Sequence, residues 1–215
     1  MGSGLMSDPK NMFWDSCVFI RYLIQTPTEF LYDIGEFIRD AVKGDRKIYY
    51  STIIYAEIKP SHLKKRGYES IEDFIKDFEG AFEPIDPNPN ILADVGIMRD
   101  LLPEHPVKTA KLKLGTPDAI HLASCVYVRD TLGASDIVFH TFDATPGNGW
   151  EGKTVPIIGI EQWYTKHMSI RQISDACKLL RTQPQYPQTG LFAPTPGAGD
   201  KPSLPPPTPE APSTP

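Results

Sequence analysis

Two rhythms of apolar and polar residues alternate along this chain. Short runs of consecutive apolar, β-branched and aromatic residues predict buried strands. Apolar residues recurring every three or four positions predict helices packed by one face. Asn11 to Ile24, NMFWDSCVFIRYLI, reads as a buried strand to about Val18 that leads into a short helix. Thr28 to Lys43 carries Phe30, Leu31, Ile34, Phe37, Ile38, Ala41 and Val42 at helical spacing, and Gly44 stops it. KIYYS, Lys47 to Ser51, is a strand, and Thr52 can cap a helix that Pro60 ends. SHLKKRG then reads as a basic turn.

The remainder follows the same alternation. A helix is expected over Ile71 to Phe78, a strand over Ala81 to Ile85 and a helix over Ile91 to Leu102. Thr116 and Pro117 suit the cap and first turn of a helix that Gly133 ends. IVFHTF, Ile137 to Phe142, and VPIIGI, Val155 to Ile160, read as strands, and Ser169 to Leu180 as a last helix. Such alternation predicts an α/β domain, a three-layer α/β/α sandwich with a central, mainly parallel sheet. Functional groups are then expected beyond the carboxyl ends of the strands.

Composition sets the boundaries. Eleven of the 22 prolines fall in residues 182–215, a stretch of Pro, Thr, Ser, Gly and Ala expected to be a disordered tail. Residues 1–10 read as a disordered leader or expression scar, leaving 11–181 for the folded domain. The net charge of −5 excludes coating of nucleic acid by bulk electrostatics, so a polyanion needs a local basic patch or metal ions. No apolar run is long enough to span a membrane, and MGSGLMSDPK has no apolar core of the kind a secretory signal needs, so none is expected. The three cysteines, Cys17, Cys125 and Cys177, are too scattered for a disulfide framework or zinc site, which suggests a cytoplasmic protein.

Four acids change the picture. Asp15 interrupts an apolar strand, where an unpaired charge is costly. Glu57 lies in the helix after the second strand, Asp118 opens a helix, and Asp143 follows IVFHTF. Strand ends and helix starts of this kind share one edge of a parallel sheet. Carboxylates gathered there repel one another unless a cation joins them, and oxygen-only donors suit Mg²⁺ or Mn²⁺ rather than zinc. Taken singly, Glu57 could be a solvated helix acid, Asp118 a helix-dipole acid and Asp143 a turn residue.

At these residues the chain resembles the PIN-domain family of metal-dependent ribonucleases, and within it the VapC-like toxins. FWDSCVFIRYL is similar to the family's strand ending in Asp, STIIYAEI to its acid in a helix, GTPDAIHLAS to its Pro-Asp-Ala segment, and HTFDA to its Thr-x-Asp strand end. The resemblance covers about Asn11 to Ile160. It implies that Asp15, Glu57, Asp118 and Asp143 ligate one or two Mg²⁺ or Mn²⁺ ions, with the hydroxyls of Ser16 and Thr141 orienting carboxylates or waters. It further implies endonucleolytic hydrolysis of RNA that leaves a phosphate on the downstream fragment, a homodimer, and an antitoxin protein partner that fills the acidic cleft. Three departures stand out: Cys17 where the family often has Ser or Asn, so that the contact made from this place is expected to be missing, a longer folded part, and the proline-rich tail.

Other readings compete. A non-catalytic PIN-fold scaffold that recruits partners through the tail is one, and a DNA-directed or defence-linked nuclease is another. GNGWEGKT, Gly147 to Thr154, satisfies a P-loop pattern, but VPIIGI follows where a helix is required, so a loop between strands is expected. An aspartyl-phosphate phosphatase lacks its second acid, because Cys17 occupies that place. Lys59, His62, Lys64, Lys65 and Arg66, with Lys108, Lys111 and Lys113, either rim the acids and hold RNA phosphates or form solvated faces. His121 is expected to pack within its helix, and Phe13, Trp14, Phe19 and Cys125 to lie in the core.

Overall fold

The computed structural model describes residues 9–105, 111–149 and 151–187. Residues 1–8 of the expected leader and most of the expected tail lie outside these residues, whereas Pro9 and Lys10 are bonded to Arg46 and Asp136. The first strand, β1 (Asn11–Trp14), is followed by α1 (Ser16–Ile24) and α2 (Leu31–Val42). Then come β2 (Lys47–Ser51), α3 (Ile54–Glu57), α4 (Pro60–Lys64), α5 (Ile71–Asp77), β3 (Phe82–Ile85) and α6 (Pro89–Asp100). The second half contributes α7 (Thr116–Asp130), β4 (Val138–His140), β5 (Gly147–Gly149), β6 (Gly152–Thr154), α8 (Arg171–Cys177) and β7 (Leu180–Thr182).

Five strands form one sheet in the order β3-β2-β1-β4-β7, and every neighbouring pair is parallel. The alternation of a pleated strand divides the core. Met12 and Trp14 of β1, with Ile48 and Tyr50 of β2, pack under α1, α2 and α5 on one face. Phe13 and Tyr49 point the other way, into a core built with α6, α7 and α8. The result is the expected three-layer α/β/α arrangement. Connections run outward from β1 in one direction to β2 and β3, and in the other to β4 and β7. The crevice between the ends of β1 and β4 is therefore the point where the sheet's winding reverses, the place where parallel sheets open to ligands.

Several boundaries differ from the sequence pattern for identifiable reasons. Strand β1 stops at Trp14, not Val18, because the Asp15 carbonyl accepts the Val18 N–H at 3.0 Å and starts α1. The helix expected from Thr52 to Pro60 is only one turn. Thr52 does not cap it: Ile53 holds the N-cap position, the Thr52 N–H donates to the Ile85 carbonyl of β3, and Pro60 opens α4 instead of ending a helix. The basic turn is thus partly helical. VPIIGI is not a strand: Pro156 has no N–H to donate, and Gly159 turns the chain at φ +83°, while Val155, Ile157 and Ile160 still fill the core. The fifth strand is β7, which follows α8. Packing continues into the stretch expected to be tail, where Tyr186 meets Phe37 edge-on with ring centroids 5.1 Å apart. The described residues of the segment with the P-loop pattern form an antiparallel hairpin, β5–β6, and the chain after Thr154 does not enter a helix directly, as a P-loop requires.

Candidate active site

Asp15 stands at the N-cap of α1 with the extended backbone of a capping residue, yet its carboxylate accepts no backbone N–H of the helix it precedes. It is turned toward the β1–β4 crevice instead. Its Oδ2 accepts from the Thr141 hydroxyl at 2.6 Å and from the Cys17 thiol at 3.1 Å. Its Oδ1 accepts from the Ser16 hydroxyl at 3.2 Å. Only 4% of Asp15 is exposed, so these donors replace the water it gives up.

Thr141 and Asp143 reach the same place from the end of β4. The Asp143 N–H donates to Thr141 Oγ1 at 3.0 Å, and the Ile157 N–H donates to Asp143 Oδ2 at 3.1 Å. The loop that was expected to be a strand thus holds an acid. Glu57 ends α3, and its Oε2 lies 2.8 Å from Nε2 of His121. His121 is fully buried on α7, and the same Nε2 is 3.5 Å from Asp15 Oδ1.

Asp118 sits one turn before His121, in the first turn of α7. Its carboxylate folds back over the N-cap residue, Gly115. A Cβ on Gly115 would lie 2.5 Å from Asp118 Oδ2, so only glycine leaves room for this placement. Burial raises the Asp118 pKa to about 7, helped by the charges of Asp15, Asp143 and Glu57 and opposed by His121. Burial and the Asp15 charge raise Asp143 to about 6 against the Ile157 N–H. Burial opposes charge on His121, but Glu57 and Asp15 outweigh it and hold its pKa above the ordinary imidazole value. Burial and Asp15 push the Cys17 thiol well up.

The four acids picked out in the sequence are therefore neighbours, drawn from the ends of β1 and β4 and from α3 and α7. Ser16 and Thr141 touch Asp15 as the resemblance implied. Cys17 corrects an expectation: the contact made elsewhere by Ser or Asn is kept, since Sγ reaches Asp15 and also accepts the Phe142 N–H at 3.1 Å. His121 is a second correction. Its ring meets Phe13 edge-on at 6.2 Å, as a packing residue would, but its nitrogen is in the acid cluster. The available signal was its position three residues after Asp118, which puts both on one face of α7.

The basic residues divide. Lys59, Lys64, Lys65, Lys111 and Lys113 are exposed, and Lys108 lies outside the described residues. Arg66 lies over the Tyr22 ring at 4.7 Å, a packing role. His62 accepts the Lys59 N–H at 3.3 Å and so helps to start α4.

No family model, curated protein or solved structure matches the chain. Among the described residues, no three His, Cys, Asp or Glu side chains converge into a set able to hold a metal ion. The donors suit a hard divalent cation in type and in charge: four carboxylates, two of them with pKa values raised by burial and by their neighbours. They do not close around one point, and an imidazole stands between Glu57 and Asp15. Ligation requires side-chain rotation.

Proposed function

We propose that this chain is a metal-dependent endoribonuclease that hydrolyses RNA phosphodiester bonds, of the kind the PIN-domain resemblance implies. One observation carries the reading. Four carboxylates remote in sequence share the β1–β4 crevice, and burial there, helped by the charges of their neighbours, raises Asp118 and Asp143. A fold gains nothing from such repulsion unless a cation relieves it.

Asp15, Glu57, Asp118 and Asp143 would hold Mg²⁺ or Mn²⁺, which supplies Lewis-acid polarisation of the phosphate and a more acidic water. The chain's own groups set the rest. Thr141, Cys17 and Ser16 fix the two oxygens of Asp15, and the Ile157 N–H fixes Asp143. Exposed Lys59, Lys64, Lys65, Lys111 and Lys113 offer contacts to RNA phosphates. Hydrolysis breaks the bond to the upstream 3′ oxygen and leaves the phosphate on the downstream fragment. A toxin role, with an antitoxin partner, a homodimer and a cytoplasmic setting, is the biological form of this reading. No helix among the described residues is long and apolar enough to cross a membrane.

The test is RNA cleavage with Mg²⁺ or Mn²⁺, parent against Asp118→Asn, with single-stranded and duplex DNA as parallel substrates. The parent should cut RNA, and the variant and a chelated sample should not. Equal cutting by both proteins, or none by the parent with any metal, overturns the reading; cutting confined to DNA moves it to a DNA-directed nuclease. The lack of a closed ligand set favours one alternative, a non-catalytic scaffold. Calorimetric Mn²⁺ titration separates the two, because a scaffold binds no metal through Asp15.

A further inference from the structure

An imidazole, that of His121, stands among the four acids. Its ring is fully buried, held edge-on against Phe13 of β1, and its Nε2 lies against two carboxylate oxygens: Glu57 Oε2 at 2.8 Å and Asp15 Oδ1 at 3.5 Å. A nitrogen facing carboxylates carries the hydrogen and donates it. The other ring nitrogen, Nδ1, is buried and has no hydrogen-bond partner among the described residues. Placing an imidazole here therefore leaves one polar atom unsatisfied, a burden that packing alone would avoid with an apolar side chain.

The anchoring is unequal across the cluster. Asp15 has three side-chain donors, and Asp143 has a backbone N–H. Glu57 ends a helix of four residues, and its side chain is one-fifth exposed, at 21%. The bond from His121 is what ties it to the crevice. His121 in turn stands on α7, fifteen residues long and buried along much of its length, one turn from Asp118. We propose that His121 is a positioning residue that carries Glu57 to Asp15, so that the rigid α7 sets two of the four carboxylates at once: Asp118 directly and Glu57 through the imidazole. This rests on the nuclease reading above.

Removing such a partner of a metal-binding carboxylate lowers metal affinity by about 10- to 100-fold. Mn²⁺ binding is to be measured by electron paramagnetic resonance of the free ion, in the full chain, for the parent, His121→Ala, His121→Gln, Glu57→Gln and His121→Ala/Glu57→Gln. Thermal melts of each check folding. His121→Ala should weaken Mn²⁺ binding within that range, and the double variant should bind no more weakly than Glu57→Gln alone. His121→Gln, whose amide can still donate, should recover most of the affinity. Cleavage by His121→Ala should show a raised half-saturating Mn²⁺ concentration with a turnover close to the parent's at saturation. In the parent, the Nε2–H proton resonance should shift on Glu57→Gln, a measurement that needs no change at His121.

Additive losses in the double variant, unchanged Mn²⁺ binding by His121→Ala, or an unmoved Nε2–H resonance overturns the positioning role while the nuclease stands. A parent that neither binds Mn²⁺ nor cuts RNA brings down both.

Discussion

An aspartate at a helix N-cap ordinarily spends its carboxylate on the first free N–H groups of that helix. Asp15 does not, and the hydroxyls and thiol around it explain where the carboxylate goes instead. Cys17 is the informative member of that set, because its sulfur both donates to Asp15 and accepts from Phe142. Cys17→Ser should keep both bonds and leave RNA cleavage within a few-fold of the parent, whereas Cys17→Ala should lower it by about 10-fold, on the scale of a lost partner to a metal-binding carboxylate. Gly115→Ala makes a sharper prediction. Its φ of −60° is open to alanine, so the backbone tolerates the change, but the new Cβ meets Asp118 Oδ2. The variant should melt close to the parent and lose cleavage. At this scale the acids were legible in the sequence, because a charge at the end of an apolar run needs a reason. His121 and Cys17 were not, because a lone imidazole or thiol on an apolar face looks the same whether it packs or bonds.

Among the elements, β2 and the long α7 follow closely from their residues: KIYYS is an uninterrupted strand former, and Pro117 fits the first turn of its helix. Two elements escaped. Helix α4 is one turn within a basic stretch, started by a bond from the Lys59 N–H to the His62 ring that no periodicity signals. Strand β7, LRT, has one apolar residue and draws its hydrogen bonds from β4 rather than from any preference of its own. Beyond β7 the chain is pinned to α2. The Tyr186 hydroxyl donates to Asp40 Oδ2 at 2.6 Å, where Arg46 also donates at 2.9 Å, and the Tyr186 N–H donates to Asp33 at 2.8 Å. Tyr186→Phe should reduce stability by about 1 kcal/mol, read by chemical denaturation. Burial of Asp40 opposes its charge, but the bonds from Tyr186 and Arg46 outweigh it and hold the pKa below the ordinary value. The stabilisation is thus present above the unfolded aspartate pKa and is lost as pH falls through the lower folded one. The gap between parent and variant should close under strongly acidic conditions.

For the molecule as a whole, the acid cluster opposes folding when no cation is bound. Asp118 at about 7 and Asp143 at about 6 stay protonated in the folded protein after their unfolded counterparts have ionised. The unfolded chain therefore binds fewer protons between about pH 4 and these values, and these two groups make stability fall as pH rises through that window. Chelated protein should show that slope in its melting temperature, and saturating Mn²⁺ should raise the melting temperature far more at pH 8 than at pH 5. An equal rise at both would mean that Mn²⁺ does not engage these carboxylates. The assembly of the sheet has a consequence in time as well. All four acids lie between positions 15 and 143, yet the Thr141 N–H is held by the carbonyl of Thr182, in the last strand. A chain made from its N-terminus has every carboxylate available well before the strand that steadies Thr141 beneath Asp15. A nascent chain halted short of Thr182 carries the acids without the clamp that aligns them, so their alignment would arrive only once Thr182 has been made rather than grow along with the chain.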